Sequence, residues 1–126
     1  MKPLNIIVID NENVICDACN LVLTDDGHEV DYFKTGKTGL FAAERGRYDL
    51  ALLDIKLPDM DGMEILKILR EKRPELCVIV MTGYSTMSNA VQAMKLGAAD
   101  YLSKPFTDDE LMDAVQKVFS KQSLNQ

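Results

Sequence analysis

Residues 50–54 read LALLD, four consecutive apolar residues followed by a carboxylate. An apolar run of this length without polar alternation is typical of a strand that is buried on both faces of a parallel sheet. Similar runs occupy residues 4–9, 77–81 and 99–102, and a weaker one occupies residues 29–33. The sequence therefore predicts five short strands, four of them with little polar alternation.

The segments between the predicted strands carry apolar residues at helical spacing. In the first segment, five residues form a stripe that we expect to face the core: Val14, Ile15, Ala18, Leu21 and Val22. The last segment opens with Thr107 and Glu110, which are spaced as a capping box. Strand and helix thus alternate five times, which predicts right-handed βαβ units and an α/β fold, a doubly wound five-stranded parallel sheet with five helices.

Length and composition are those of one ordinary globular domain. The chain has 126 residues, of which 47% are hydrophobic, enough to build a single core. We assign residues 1–120 to that domain and residues 121–126 to a polar tail or the start of a linker. The formal net charge of -6 argues against direct binding to nucleic acid or to an anionic membrane. The chain has no membrane-spanning apolar run and no signal-peptide pattern at its start, which predicts a cytoplasmic location.

Cysteine and histidine are too few for several kinds of site. Cys16, Cys19 and Cys77 are an odd number without a second close pair. We therefore expect reduced structural cysteines rather than a disulfide framework or a four-ligand zinc site. His28, the only histidine, follows Gly27 in a predicted turn, where we expect a solvated side chain. Chemistry that depends on an imidazole base or ligand is not predicted.

Polar side chains follow four of the predicted strands at the points where the strands end. In a doubly wound sheet these carboxyl ends share one edge, and ligands bind outside it. Any one of these residues alone has an ordinary explanation as a helix cap or a solvated loop residue. Two carboxylates, a hydroxyl and an ammonium at one edge are more than capping requires, and they predict a functional site. The four residues are Asp10, Asp54, Thr82 and Lys104, and Asn11 and Glu12 follow Asp10.

The chemistry of this predicted site suits a phosphoryl group and Mg²⁺. Hard carboxylate oxygens without histidine or thiolate favour Mg²⁺, which keeps positions for water and phosphate oxygens. Lys104 can neutralise one phosphate oxygen, and the Thr82 hydroxyl can donate a hydrogen bond to another. Asp54, held at the end of a rigid strand, is the predicted nucleophile, and residues 58–62 are expected to form a mobile turn beside it. The chain lacks a Gly-rich nucleotide loop, so a nucleotide is not the predicted ligand.

Longer stretches around these residues resemble the receiver domain (CheY-like) of bacterial two-component response regulators, from residue 6 to residue 119. The part from residue 82 to residue 111 is most similar to receivers that precede σ54-dependent transcription activators, and receivers of hybrid kinases are nearly as similar. The resemblance implies the flavodoxin-like strand order 2-1-3-4-5. The stretches that carry it are IIVID at residues 6–10, LLD at 52–54, LPDMDG at 57–62, MTG at 81–83 and GAADYLSKPF at 97–106.

The resemblance implies a regulatory phosphoacceptor rather than a turnover enzyme. Asp54 would accept a phosphoryl group from a phosphohistidine of a sensor histidine kinase or from a phosphotransfer protein. Asp10, Asp54 and the backbone carbonyl of Lys56 would hold Mg²⁺, and Lys104 would pair with the phosphoryl oxygens. The Lys104–Pro105 peptide bond would be cis.

Thr82 and Tyr101 are the switch residues that the resemblance implies. Thr82 would move to bond a phosphoryl oxygen, and Tyr101 would then turn inward. The surface that changes would be the fourth helix, the fifth strand and the fifth helix. That surface would control an output domain, carried in a longer chain, or a separate partner in transcription regulation, and a homodimer formed on phosphorylation is compatible with it.

Asn11 departs from the pattern of the family, which usually places a metal-binding carboxylate at this position. An amide oxygen can ligate Mg²⁺ but brings no charge. We therefore predict that Mg²⁺ binds more weakly than is usual, by about tenfold or more. Glu12 is the residue that could substitute for the missing carboxylate.

Two alternatives stay open from the sequence. The first, motivated by Asn11, is a receiver-like interaction module that binds partners without phosphorylation. The second is a haloacid dehalogenase-like phosphatase with Asp10 as its nucleophile, although Glu12 stands where that family expects a second aspartate. The intact set of Asp54, Thr82 and Lys104 favours the phosphoacceptor over both.

Overall fold

Five strands and five helices alternate along the part of the chain that the structure describes. The computed structural model describes the backbone of residues 2–83 and 86–124, and side chains as far as residue 120. The strands are β1 (Asn5–Ile9), β2 (Glu29–Phe33), β3 (Leu50–Asp54), β4 (Cys77–Thr82) and β5 (Asp100–Ser103). The helices are α1 (Asn13–Asp25), α2 (Gly36–Arg45), α3 (Gly62–Lys72), α4 (Met87–Lys95) and α5 (Asp108–Leu124).

The strands form one sheet in the order β2-β1-β3-β4-β5, and every neighbouring pair is parallel. The predicted fold class and strand order are therefore confirmed. The Thr107–Glu110 capping box is confirmed as well, since each residue's side chain accepts the backbone N–H of the other at 3.1 and 2.9 Å.

Both faces of the sheet are covered by helices, which explains the apolar strand sequences. Ile6 and Val8 of β1 belong to an apolar cluster that includes residues of α1 and α5. Ile7 and Ile9, which point to the other face, belong to a second cluster with residues of α2, α3 and α4. Because alternate side chains of the central strands are buried on opposite sides, polar groups find room only where the strands end.

The buried face of α1 agrees only in part with the predicted stripe, of which Ile15 and Val22 pack against the core. Cys16, Cys19 and Leu23 are fully buried, whereas Val14 and Leu21 are 76% and 72% exposed. At 3.6 residues per turn, the two exposed residues lie roughly half a turn from the buried three. Apolar residues occur on both sides of this helix, so the sequence pattern could not tell which side faces the sheet.

His28 is buried, so the prediction of a solvated turn residue was wrong. Gly27 does form the turn, with a φ of 94°, but the turn directs the imidazole inward and leaves only 4% of His28 exposed. Its Nδ1 accepts a hydrogen bond from the Leu4 N–H at 3.0 Å, and its Nε2 lies 3.3 Å from Asp26 Oδ2. A neutral ring with its proton on Nε2 is compatible with both contacts. The imidazole thus supplies an acceptor for the backbone just before β1.

His28→Leu is expected to lower the free energy of unfolding by about 1–3 kcal/mol, because leucine leaves the buried Leu4 N–H without its acceptor. His28→Asn keeps a side-chain oxygen as a possible acceptor and should lose less. Urea unfolding followed by circular dichroism at neutral pH would measure both variants. A leucine variant as stable as the native chain would contradict this role of the ring.

The three cysteines are buried thiols, as predicted. Burial raises the pKa of Cys16 to about 11 and that of Cys19 to about 12, and the nearby Asp10 charge acts in the same direction. Because the thiolate is the reactive form, both cysteines are suited to packing rather than to chemistry.

Helix α5 extends beyond the predicted end of the domain. The α5 backbone continues to Leu124, into the segment predicted as a tail, and residues 125 and 126 lie outside the described residues. The domain boundary at residue 120 stays a prediction.

Among the helices of residues 2–83 and 86–124, none is both long enough and apolar enough to cross a membrane.

Candidate functional site

The parallel sheet brings the predicted site residues to one edge. Asp54 is the last residue of β3 and Thr82 the last of β4, while Asp10 and Lys104 directly follow β1 and β5. Asp10 is held by its own N–H, which donates to the Phe33 carbonyl at 3.0 Å and so extends the β1–β2 pairing. Asp10, Asp54 and Thr82 are all buried, at 0%, 3% and 0% exposure.

Lys104 is the centre of the site. Its Nζ lies 2.7 Å from Asp10 Oδ2, 2.7 Å from Glu12 Oε1 and 3.1 Å from Asp54 Oδ2. Burial by itself would lower the pKa of Lys104, but the close contacts with Asp10 and Glu12 and the charges of Asp10 and Asp54 raise it above its ordinary value. The ammonium is therefore a permanent positive charge among three carboxylates.

Asp10 is the most deeply buried of these carboxylates. Its Oδ1 accepts the Glu12 N–H at 2.9 Å, and its backbone carbonyl lies 3.2 Å from the Cys16 thiol, which donates to it. Burial raises the pKa of the Asp10 carboxyl, although the contacts with Lys104 and the Glu12 N–H pull it down. Asp10 Oδ2 forms an ion pair with Lys104 Nζ, but the angle of this contact is poor for a hydrogen bond. The oxygen therefore keeps lone pairs that could bind a cation.

Asp54 is oriented by the loop that follows β3. Its Oδ1 accepts the Lys56 N–H at 3.0 Å, while its Oδ2 faces Lys104. The loop returns on itself, because the Gly62 N–H donates to the Ile55 carbonyl at 3.0 Å and Lys56 forms a bridge with Asp61. Only glycine fits at position 62, since an added Cβ would stand 2.5 Å from the Asp54 carbonyl oxygen. The turn that the sequence predicted to be mobile is thus tied to the strand it follows.

The carboxylates form a group that could hold a metal ion. One oxygen each of Asp10, Glu12 and Asp54 lies within 4.8 Å of the other two. Three carboxylates against the one ammonium of Lys104 leave two negative charges without a partner in the group. Hard oxygens with excess negative charge fit a divalent cation of the Mg²⁺ or Ca²⁺ kind. Asn11 is exposed, and within the described ranges its side chain makes no hydrogen bond.

The structure also gives the positions of the predicted switch residues. Thr82 is fully buried, and its carbonyl accepts the Lys104 N–H at 2.9 Å, which joins the ends of β4 and β5. Tyr101 is half-buried on β5 beside Val80 of β4 and packs against the apolar cluster under α4. The Lys104–Pro105 peptide bond is cis, as the resemblance implied.

Two contacts of the site were not expected from the sequence. Glu12 reaches Lys104 across 92 residues of sequence, with its own side chain 56% exposed. Asp59, in the loop after β3, accepts the N–H groups of Gly36 and Lys37 at 2.7 and 2.9 Å. The proximity of Glu12 to Asp10 was a usable signal for the first contact. The partners of Asp59 are backbone amides, which leave no mark in a sequence.

Comparison with known proteins agrees with this geometry. The chain matches the family model of the response regulator receiver domain over residues 6–116. It is 34% identical to the transcriptional regulatory protein QseB of Haemophilus influenzae over 118 residues, 94% of this chain and 53% of QseB. It is 36% identical to the DNA-binding transcriptional regulator NtrC of Proteus hauseri over 120 residues, 95% of this chain and 25% of NtrC. A regulator of the NtrC kind was expected from the likeness to receivers of σ54-dependent activators.

A solved receiver domain protein (CheY-like) from Methanospirillum hungatei JF-1 has the same fold. The two structures superpose with a TM-score of 0.92 at 32% identity, over 99% of this chain and all of the other. The chain belongs to the response regulator receiver family. It is a phosphoacceptor switch of two-component systems, a regulatory domain rather than an enzyme that turns over a substrate. It spans about half the length of QseB and a quarter of NtrC.

Proposed function

We propose that Asp54 accepts a phosphoryl group from a phosphohistidine of a sensor histidine kinase or of a phosphotransfer protein. A carboxylate oxygen of Asp54 attacks phosphorus, and the phosphorus–nitrogen bond of the donor breaks. The electron pair of that bond goes to the donor imidazole, which takes up a proton. The product is an acyl phosphate on Asp54, a bond labile enough to serve as a reversible signal.

The observation that carries this proposal is the position of Asp54 between two fixed donors. The Lys56 N–H holds one carboxylate oxygen at 3.0 Å, and Lys104 Nζ lies 3.1 Å from the other. The nucleophile is therefore oriented, and the ammonium is placed to neutralise charge on the incoming phosphoryl oxygens. Lys104 would exchange one of its carboxylate contacts for a phosphoryl oxygen in the product.

Mg²⁺ is the proposed cofactor, held by the carboxylates of Asp10 and Asp54 and by the backbone carbonyl of Lys56. When bound, it supplies positive charge that brings the anionic phosphoryl group and the Asp54 carboxylate together. Asn11 remains a proposed ligand, and Mg²⁺ should bind more weakly because its amide is neutral where the family usually has a carboxylate. Glu12 is close enough to contribute the charge that Asn11 lacks.

The phosphorylated domain is proposed to signal through α4, β5 and α5. Thr82 would bond a phosphoryl oxygen and Tyr101 would turn inward, which alters this face. Three exposed apolar side chains already lie along one side of α4 at spacings of four and three residues. They are Met87 at 84%, Val91 at 45% and Met94 at 49% exposure. This stripe supports contact with an output domain or with a second copy of the domain.

The whole protein is proposed to regulate transcription in the cytoplasm. QseB and NtrC are named as transcriptional regulators, and both are longer than this chain. The output would therefore lie in a further domain or in a separate partner, while this acidic domain itself would contact neither nucleic acid nor membrane. The buried thiols are those expected of a reducing compartment.

The test is the intact mass of the native chain after incubation with acetyl phosphate, with Mg²⁺ and with a chelator. One phosphoryl adduct is expected, formed only with Mg²⁺. Borohydride reduces an aspartyl phosphate to homoserine, so peptide mapping after reduction should find homoserine at position 54. An adduct elsewhere would contradict Asp54 as acceptor, and the lack of any adduct would favour the interaction module that binds partners without phosphorylation.

A further inference from the structure

The conformation of the loop from Ile55 to Asp61 directly affects the orientation of the phosphoacceptor Asp54. Lys56 lies in this loop, its N–H holds Asp54 Oδ1, and its carbonyl is a proposed Mg²⁺ ligand. At its base the loop is secured by the Lys56–Asp61 bridge and by the Asp61 side chain, which caps α3 by accepting the Met63 N–H at 3.0 Å. A displacement of the loop tip would therefore act on the backbone of Lys56.

The tip of the loop is secured by Asp59, which reaches a different helix. Asp59 Oδ1 accepts the Gly36 N–H at 2.7 Å and Oδ2 accepts the Lys37 N–H at 2.9 Å, although 23 residues separate Asp59 from Gly36. The first turn of α2 has no acidic residue of its own, and the side chain of its N-cap, Thr35, accepts the Thr38 N–H but not the N–H groups of Gly36 and Lys37. Asp59 thus supplies both the negative charge and the two acceptors that this helix end favours.

Packing reinforces the two hydrogen bonds. A Cβ added to Gly36 would stand 3.0 Å from Met60 Cβ and 3.0 Å from Ile65 Cδ1, and 3.2 Å from Asp59 Oδ1. The loop tip and the start of α2 are therefore in close contact. These hydrogen bonds also lower the pKa of the Asp59 carboxyl, so it is ionised at neutral pH and keeps both acceptors.

We propose that Asp59 is a positioning residue for the phosphoacceptor site: by tying the loop tip to α2 it fixes the backbone of Lys56, which orients Asp54 and contributes to the Mg²⁺ site. This inference rests on the proposed function and adds to it a residue that touches neither the phosphoryl group nor the cation. The competing role is simpler, in which Asp59 only caps α2 and contributes to stability.

Thr35→Ala separates the two roles, because it removes a cap from the same helix end without touching the loop. Asp59→Ala is expected to weaken Mg²⁺ binding about tenfold, as loss of an outer-shell partner does at metal sites. It should slow adduct formation from acetyl phosphate at limiting Mg²⁺ by a similar factor. Asp59→Asn keeps one oxygen acceptor and should lie between Asp59→Ala and the native chain. Thr35→Ala should lower the unfolding midpoint but leave both measurements within roughly twofold of native.

Amide hydrogen exchange adds a measurement that helix capping alone would not change. Asp59→Ala should speed exchange at the Lys56 amide as well as at Gly36 and Lys37, whereas Thr35→Ala should speed exchange at Thr38 and leave Lys56 as in the native chain. Mg²⁺ affinity is measured by calorimetry on the same variants.

Native Mg²⁺ affinity and native Lys56 exchange in Asp59→Ala would overturn the inference and leave Asp59 as a helix cap. Equal losses of Mg²⁺ affinity in Asp59→Ala and Thr35→Ala would overturn it too, since the effect would then follow helix stability. If the native chain takes up no phosphoryl group, the proposed function fails by itself. Mg²⁺ affinity and Lys56 exchange then still decide whether Asp59 positions the loop.

Discussion

Asp54→Asn is expected to abolish the phosphoryl adduct completely. An amide oxygen is a far weaker nucleophile than a carboxylate. Asp10, the other carboxylate held by a backbone N–H and by Lys104, is fully buried and is proposed as a cation ligand rather than as an acceptor. Asparagine keeps the size of the side chain and an oxygen that can accept the Lys56 N–H, while Lys104 retains Asp10 and Glu12 as partners. The variant should therefore stay folded, and intact mass after acetyl phosphate and Mg²⁺ should equal that of the untreated chain.

Asp109→Asn is the matched control for this result. Asp109 is an exposed acid in the first turn of α5, so its removal changes the net charge by the same amount without touching the site. Its adduct should form as in the native chain. Asp10→Asn should form the adduct only at higher Mg²⁺, because the acceptor is intact and one cation ligand is lost. Persistence of the adduct in Asp54→Asn would mean that another residue accepts the phosphoryl group.

Lys104→Met is expected to lower the free energy of unfolding by about 3–5 kcal/mol when Mg²⁺ is removed by a chelator, the range for breaking a buried ion pair. Methionine fills much of the same volume but leaves the buried carboxylates of Asp10 and Asp54 without a counter-charge. The Lys104 side chain is only 8% exposed, so water cannot take over the role of the ammonium. Urea unfolding measures the loss, and added Mg²⁺ should restore part of it because the cation binds the folded state.

Two further variants identify the cause of that loss. Lys72→Met removes an ammonium that lies 3.5 Å from Glu44 with its side chain 61% exposed, and such a surface pair is worth at most about 1 kcal/mol. Adding Asp10→Asn to Lys104→Met removes one of the orphaned charges and should recover part of the stability. If Lys104→Met lowered the free energy of unfolding no more than Lys72→Met does, the charge of Lys104 would not be needed to stabilise the buried carboxylates.

The strands were the part of the fold that the sequence predicted best. The runs at residues 50–53 and 29–33 correspond to β3 (Leu50–Asp54) and β2 (Glu29–Phe33), within one residue at each end. For β3 the prediction succeeded because a strand covered on both faces needs apolar residues at every position. The edge strand β2 has no fully buried residue, and its sequence pattern was correspondingly weaker. Helix faces were harder, as Val14 and Leu21 show, because apolar residues can lie on the exposed side of a helix.

The meeting of Asp10, Asp54 and Lys104 was also predictable. In a parallel doubly wound sheet all strands end at one edge, so residues that follow different strands must be neighbours there. Their order in the sequence and the strand order were enough to bring them together. In the structure Lys104 Nζ lies 2.7 Å from Asp10 Oδ2 and 3.1 Å from Asp54 Oδ2.

The sequence by itself determined the fold class, the strand order by family likeness and the edge at which the charged groups meet, because these follow from hydrophobic pattern and topology. Tertiary structure alone decided the burial of His28, the contact of Glu12 with Lys104 and the tie from Asp59 to α2. Each of these depends on the path of a loop and, for His28 and Asp59, on backbone N–H groups. Every residue except proline carries such a group, so residue identity cannot reveal which of them a side chain will find.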